Sequence, residues 1–182
     1  MKYLVISDIH GASQALEQAL SWKEKLGAEK ILLLGDILYH GPRNDLPVPY
    51  APKDVAARLN GLKEQIVAVQ GNCDAEVDQM VLEFPIMKAF ETLRLGDGRK
   101  VILTHGHRNE YQMGLSYGCV VLSGHTHIAT AEQDAEGVYR CNPGSASMPK
   151  GTLPASFGVL DEEGFVVLDL VGQELLSIKF KG

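Results

Sequence analysis

Seven side chains able to hold a metal ion stand out by type and placement: Asp8, His10, Asp36, Asn72, His105, His125 and His127. Imidazole and carboxylate donors suit manganese, iron, zinc or cobalt, and the lack of a thiolate cluster argues against an iron–sulfur or structural zinc site. Asp8-x-His10 and His125-x-His127 each set two donors one residue apart, so both can approach one metal pair from the same direction. A carboxylate such as Asp36 can bridge two ions roughly 3.5–4 Å apart, the separation typical of two-metal phosphoryl chemistry. Such a pair binds phosphate oxygens, stabilises the charge of an in-line displacement and turns a bridging water into hydroxide. Asn72 adds a neutral oxygen, which limits the negative charge of the cage. Each short pattern alone is an ordinary turn. Gathering all seven without a cation would cost on the order of several kcal/mol of desolvation.

The elements that must position these residues are legible as apolar runs. Residues 2–6, 30–34, 66–69, 99–104 and 119–123 each end just before candidate ligands. In open α/β sheets ligands bind beyond the carboxyl ends of the strands. Five strand ends therefore unite side chains spread over about 120 residues of sequence. The spacing of Leu16, Ala19, Leu20 and Leu26 predicts a helix over 13–26, stopped by Gly27. Pro42, Pro47, Pro49 and Pro52 mark a loop, and Pro52 opens a helix that Val55, Leu59 and Leu62 continue. A further helix is expected over 75–83. Segments 88–95 and 99–104 flank Gly96-Asp97-Gly98, a hairpin signal, and more strands are expected near 129–133, 138–141, 156–161, 165–170 and 174–180. Strand–helix alternation followed by a strand-rich half implies two packed sheets with helices outside. With no repeat or linker to divide it, the chain reads as one domain, 1–182.

The ordered pattern Asp8-Ile9-His10, Gly35-Asp36, Gly71-Asn72, His105 and Gly124-His125-Thr126-His127 resembles the calcineurin-like metallophosphoesterase superfamily. Within it, three further stretches are similar to the small bacterial phosphodiesterases of the YfcE type. These are His40-Gly41-Pro42-Arg43-Asn44 after Gly35-Asp36, then Gly71-Asn72-Cys73-Asp74, and Asn142-Pro143-Gly144-Ser145. The resemblance covers essentially the whole chain. It implies an α/β fold, a four-layer α/β/β/α sandwich, and two divalent metal ions, often manganese, with iron, zinc, cobalt or nickel as other occupants. On that resemblance one metal is held by Asp8, His10 and His127, the other by Asn72, His105 and His125, with Asp36 bridging. It further implies a phosphodiesterase working by in-line attack of a hydroxide that bridges the metals. A phosphomonoesterase, or a non-catalytic protein-binding scaffold of the same fold, are the alternatives.

Asn72, Cys73 and His105 are the candidate catalytic residues. Many superfamily members follow Gly-Asn with a histidine that protonates the leaving group, and here that position is Cys73. A neutral thiol is a poorer acid near pH 7 than imidazolium, so leaving groups that need little protonation are expected to fare better. Cys73 reads equally as a small filler beside the site. His40, Arg43 and His107 are candidate substrate-binding residues. The Arg43 guanidinium either clamps a phosphate oxygen or is a solvated loop residue, and His107 either orients His105 or contacts substrate. Asn142-Pro143-Gly144-Ser145 reads as a turn shaping the loop layer, and 108–118 as a strip bordering the pocket.

The balance of 17 basic against 23 acidic residues leaves a net charge of -6, a poor basis for gripping nucleic-acid backbone. The expected partner is a small phosphodiester, whose charge bound divalent metals can meet locally. Cys73, Cys119 and Cys141 show no CxxC spacing, which suits reduced thiols in a cytoplasmic protein. The first apolar run is too short for a signal peptide and is broken by Asp8, and no run of roughly twenty apolar residues is present for a membrane span. Apolar strands in the second half are compatible with a homo-oligomer.

Overall fold

The computed structural model describes residues 1–109, 112 and 114–181. Among them are eleven strands, one at each segment where an apolar or alternating run predicts it. β1 (Tyr3–Ile6), β2 (Lys30–Leu33), β3 (Ile66–Ala68), β9 (Ser156–Leu160), β10 (Gly164–Asp169) and β11 (Glu174–Lys179) form one sheet in the order β11-β10-β9-β1-β2-β3. β4 (Phe90–Arg94), β5 (Lys100–Thr104), β6 (Val120–Leu122), β7 (Thr130–Gln133) and β8 (Tyr139–Asn142) form a second, in the order β4-β5-β6-β8-β7. β1, β2 and β3 run parallel, as do β5, β6 and β8. The β4–β5 hairpin turns at Gly98, whose φ of +85° suits glycine.

The period of two along each strand sorts the core into layers. Val5, Leu32, Val101, Leu103, Val120, Leu122, Phe165 and Val167 fill the space between the sheets. Their neighbours Leu4, Ile6, Ile31 and Leu33 face the other way, onto Leu16 and Leu20 of α1 (Ser13–Leu20) and Val55 and Leu59 of α3 (Pro52–Asn60). Two mixed sheets flanked by a few helices is the expected α/β architecture. The cover over the second sheet's outer face is thin. There Cys119, Val121 and Val138 form a small buried cluster with Leu115 against it. Leu115 is thus directed onto that sheet, and none of the described residues of 108–118 lines the cavity expected beside them; residues 110, 111 and 113 lie outside the described set.

Two helices depart from expectation. The helix over 13–26 breaks into α1 and α2 (Trp22–Lys25), where the Ser21 hydroxyl donates to the Gln18 carbonyl at 2.7 Å and competes with the backbone ladder. The helix over 75–83 shrinks to α4 (Glu76–Gln79). Beyond it the Gln79 amide donates to the Leu82 and Phe84 carbonyls and accepts from Ile86 N–H, taking over backbone groups a helix would use itself. That arrangement lets Leu82, Phe84 and Ile86 all reach the core. No helix among the described residues is long and apolar enough to cross a membrane.

The closeness of β9 to the inter-sheet core is directly testable. A Cβ on Gly158 would stand 2.5 Å from Phe165 Cε2 and 3.3 Å from Val5 Cβ, and Phe165 is fully buried. Gly158→Ala is expected to destabilise the fold by about 1–3 kcal/mol through overpacking, read as a lower urea midpoint at unchanged slope. An unchanged midpoint would mean that Phe165 has room to repack.

Candidate metal centre

The carboxyl ends of the parallel strands in both sheets meet at one edge of the sandwich, and the seven candidate ligands occupy the turns that follow. Five of them, Asp8, His10, Asp36, His125 and His127, have positive φ, between 48° and 66°. Among the described residues they are the only non-glycine positions that do. Left-handed backbone at a residue with a Cβ costs about 1–3 kcal/mol, so the surroundings must hold it. They do so by cross-strand bonds: Asp8 N–H donates to Gly35 O (3.2 Å), His10 N–H to Asp36 O (2.9 Å) and Gly124 N–H to His105 O (3.0 Å). The Ser145 and Ser147 hydroxyls both donate to Asp8 O, and the Asn142 amide donates to Gly124 O and Thr126 Oγ1. The Asn142–Ser145 turn therefore braces the loops on both sides of the centre.

Two motif glycines permit the close approach. A Cβ on Gly71 would overlap the Asp36 carboxylate, and one on Gly124 would overlap the Ser7 hydroxyl and crowd Asp8 Oδ2. Asp74 is the residue that sequence reasoning left out. It accepts from Asp36 N–H (2.8 Å), Ile37 N–H (2.8 Å) and Gly71 N–H (2.7 Å), tying the β2 turn to the β3 turn. Its position in Gly71-Asn72-Cys73-Asp74 was the available signal, but its acceptor role depends on a turn 37 residues away.

The imidazoles share one orientation. Nδ1 of His10, His105 and His127 each faces a backbone carbonyl, of Tyr39, Leu34 and Met148, at 2.6–2.7 Å. In the neutral rings the Nε2 atoms would therefore carry lone pairs pointing inward, as metal-ligating histidines do. His10 and His127 present Nε2 to each other at 3.3 Å, and His105 Nε2 lies 3.0 Å from Asn72 Oδ1. Asp8 Oδ2 accepts from the Ser7 hydroxyl and His125 N–H, but Oδ1 is buried with no hydrogen-bond partner. His127 Nε2 stands 3.2 Å from that oxygen. Unpartnered lone pairs converging in a buried space are what a cation would satisfy, so the donor set fits divalent metal. Asp8, His10 and His127 place ligand atoms within 4.8 Å of one another, as do Asp8, Asp36 and His105, and His10, Asp36 and Cys73. The His125 ring is further out, its centroid 5.1 Å from that of His105.

Without metal, protons serve as the cations. Burial opposes ionisation of Asp8, but His10 and His127 beside it more than offset this and hold its carboxyl well below the usual carboxylate range. Burial likewise disfavours charge on His105, yet Asp36 and Asp8 push its pKa up to about 9. His10 is raised against burial by the same two carboxylates and by the Tyr39 carbonyl. Burial, then the charge on His105, lowers His107 and His125.

A cavity of about 770 Å³ opens over the centre, lined by His10, Asp36, Asn72, His125 and His127; Asp8 and His105 are fully buried behind it. Arg43 and Cys73 line the same cavity. Two of the candidate substrate residues do not. The His40 ring sits edge-on to Tyr39 and Tyr50, at 4.7 and 5.4 Å, and the His107 ring packs 5.3 Å from His105.

Residues 1–164 match the model of the calcineurin-like phosphoesterase superfamily domain. The chain belongs to this superfamily. Among calcineurin-like phosphoesterases it is 45% identical over 179 residues to the phosphodiesterase YfcE of Escherichia coli, covering 97% of this chain and 96% of that one. The solved structure of the E. coli phosphoesterase YfcE superposes on it with a TM-score of 0.92 and 41% identity over the whole of both chains. A probable metallophosphoesterase of Bacillus subtilis, YsnB, is 28% identical over 172 residues, or 90% of this chain and 85% of that one.

Two measurements probe this phosphoesterase centre. Asp74→Asn replaces one acceptor oxygen by an amide that opposes a backbone N–H, and is expected to weaken divalent metal affinity about 10–100-fold; an unchanged affinity would separate Asp74 from the site. Second, His105 is protonated at pH 7 in metal-free protein, because its pKa stands near 9. A bound metal needs the neutral ring, so binding should expel a proton and apparent affinity should rise with pH up to about 9. Calorimetric heats that are independent of buffer ionisation enthalpy would contradict this.

Proposed function

We propose that this chain is a metal-dependent phosphodiesterase. The observation that carries the reading is the convergence of buried, cation-seeking lone pairs at the base of an open cavity, in a chain 45% identical to a protein named a phosphodiesterase. In this reading Asp8, His10 and His127 would hold one divalent ion and Asn72, His105 and His125 the other, with Asp36 a ligand shared by both. The close packing of Asp8 with His10 and His127, and of Asp36 with His105, supports that division. When bound, such a pair supplies Lewis-acid stabilisation of charge on phosphate oxygens and a nucleophile at neutral pH. Manganese is the proposed ion, since the donors are nitrogen and oxygen, and a cytoplasmic setting fits three free cysteines. The reading includes a single catalytic domain over 1–182 and no stable hold on nucleic acid.

The chain's own residues orient and exclude. The carbonyls of Tyr39, Leu34 and Met148 hold three imidazoles with their Nε2 atoms inward. Cys73 lines the cavity as a neutral thiol: burial, and then the charge of Asp36, pushes its pKa up to about 12. A thiol so poorly ionised is a weak nucleophile, which favours direct transfer of the phosphoryl group to water over a covalent enzyme intermediate. It is also a weak acid, so the alcohol or phenol that departs must leave with little help.

The test is hydrolysis of bis-p-nitrophenyl phosphate and p-nitrophenyl phosphate by metal-stripped protein, before and after manganese is added. Activity restored by manganese, favouring the diester and lowered by Asp36→Ala by more than the roughly 100-fold typical of losing an outer partner, is expected. Preference for the monoester would make it a phosphomonoesterase. Folded protein inactive with every divalent ion would favour a binding scaffold.

A further inference from the structure

Two cations on the cavity wall have no role in holding metal or in charge balance within the fold. Lys150 and Arg43 line the cavity from separate segments, and both are exposed. Lysine and arginine ion pairs among the described residues are made by Lys2, Arg58, Lys63, Lys88, Arg99 and Arg140. Lys150 and Arg43 are in none. Asp36 is the one carboxylate among the described lining residues, and it is already engaged with His105 and with Cys73 N–H. In a chain of net charge -6, this wall is locally cationic.

Lys150 is also fixed in place relative to the centre. Its N–H donates to His127 O at 2.9 Å, while His127 Nδ1 donates to Met148 O at 2.6 Å. This pair of bonds staples residues 148–150 to a ligand loop, so the base of the Lys150 side chain cannot drift from the cavity. The cavity, about 770 Å³, is within the usual range for small-ligand sites and much larger than one phosphate needs. A simple phosphodiester carries one negative charge, which the metal centre meets. Cations on the wall outside that centre are placed to meet a second charge that the substrate brings.

We propose that Lys150, together with Arg43, selects phosphodiesters that carry a second anionic group, such as a phosphate, on the arm that extends away from the metal centre. This rests on the phosphodiesterase reading. Lys150 acts on specificity through KM, because the second anion is remote from the reacting phosphorus and interacts alike in ground and transition states.

The experiment compares two diesters with the same leaving group, the p-nitrophenyl ester of thymidine 5′-phosphate and its 3′-phosphorylated counterpart, using the manganese-loaded full chain. Wild type should prefer the phosphorylated ester. Lys150→Gln should lower the ratio of the two kcat/KM values about tenfold, mainly through KM, with Lys150→Arg restoring most of it. No preference in wild type, or an equal loss on both esters in Lys150→Gln, overturns the proposal; equal loss would put the cation on the reacting phosphate. If wild type hydrolyses neither ester, the phosphodiesterase reading itself fails. Charge selection is then read from calorimetric binding of thymidine 3′,5′-bisphosphate against thymidine 5′-phosphate. A preference for the bisphosphate that Lys150→Gln removes supports the selection, and equal affinities sink it.

Discussion

Two carboxylates, Asp8 and Asp36, lie buried with their oxygens within 4.8 Å of one another and of a His105 nitrogen. Like charges so placed, out of water, repel strongly and forfeit hydration, and the arrangement is tolerable only with positive charge between them. Without metal the two carboxylates favour protons on the neighbouring imidazoles, raising His10 above the ordinary histidine range and His105 to about 9. Divalent ions answer that demand with more charge in the same space. The inward Nε2 atoms, the outward Nδ1–carbonyl bonds and the unpartnered Asp8 Oδ1 are all consequences of building a cage around charge that side chains alone cannot neutralise.

The cage also places demands on the backbone. Five ligand residues sit in left-handed conformations that cost about 1–3 kcal/mol each, a large sum beside the roughly 5–15 kcal/mol of a whole domain. The sandwich absorbs this because the turns are bonded to each other rather than to their own strands. Asp74 joins the β2 and β3 turns, and Ser145, Ser147 and Asn142 join the β1 and β6 turns to the end of β8 and the segment after it. Gly71 and Gly124 keep those turns close enough for such bonds. Strain of this kind collects at functional sites, and here every strained non-glycine residue among those described is a candidate ligand, with Asn72 and His105 the two candidates left unstrained.

Around the cage the cavity wall is chemically different. It carries Arg43, Cys73 and Lys150, none buried, on loops that the core does not dictate. The neutral thiol at Cys73 stands where many relatives have an imidazole, so the wall leaves protonation of the departing group to the substrate's own chemistry. In the proposed reading, reaction type resides in the candidate metal ligands, while choice of substrate resides in the cavity rim.

Much of this was readable in the chain itself. The eleven strands, the order of the seven ligands and their position after strand ends follow from apolar runs and short polar turns, which are encoded within a few neighbouring residues. The break at Ser21, the short α4 and the retreat of His40 into an aromatic contact were not readable, since each depends on a side chain competing for a particular backbone group or neighbour. Nor were the bracing role of Asp74, the stapling of Lys150 to His127, or the lone oxygen of Asp8. The sequence by itself determined which donors exist and that they would fall at one edge of the sheets, because strand periodicity and turn chemistry are local. Tertiary structure alone decided which lone pairs converge unsatisfied and which cations stay free, because those facts depend on hydrogen bonds between residues up to 139 positions apart.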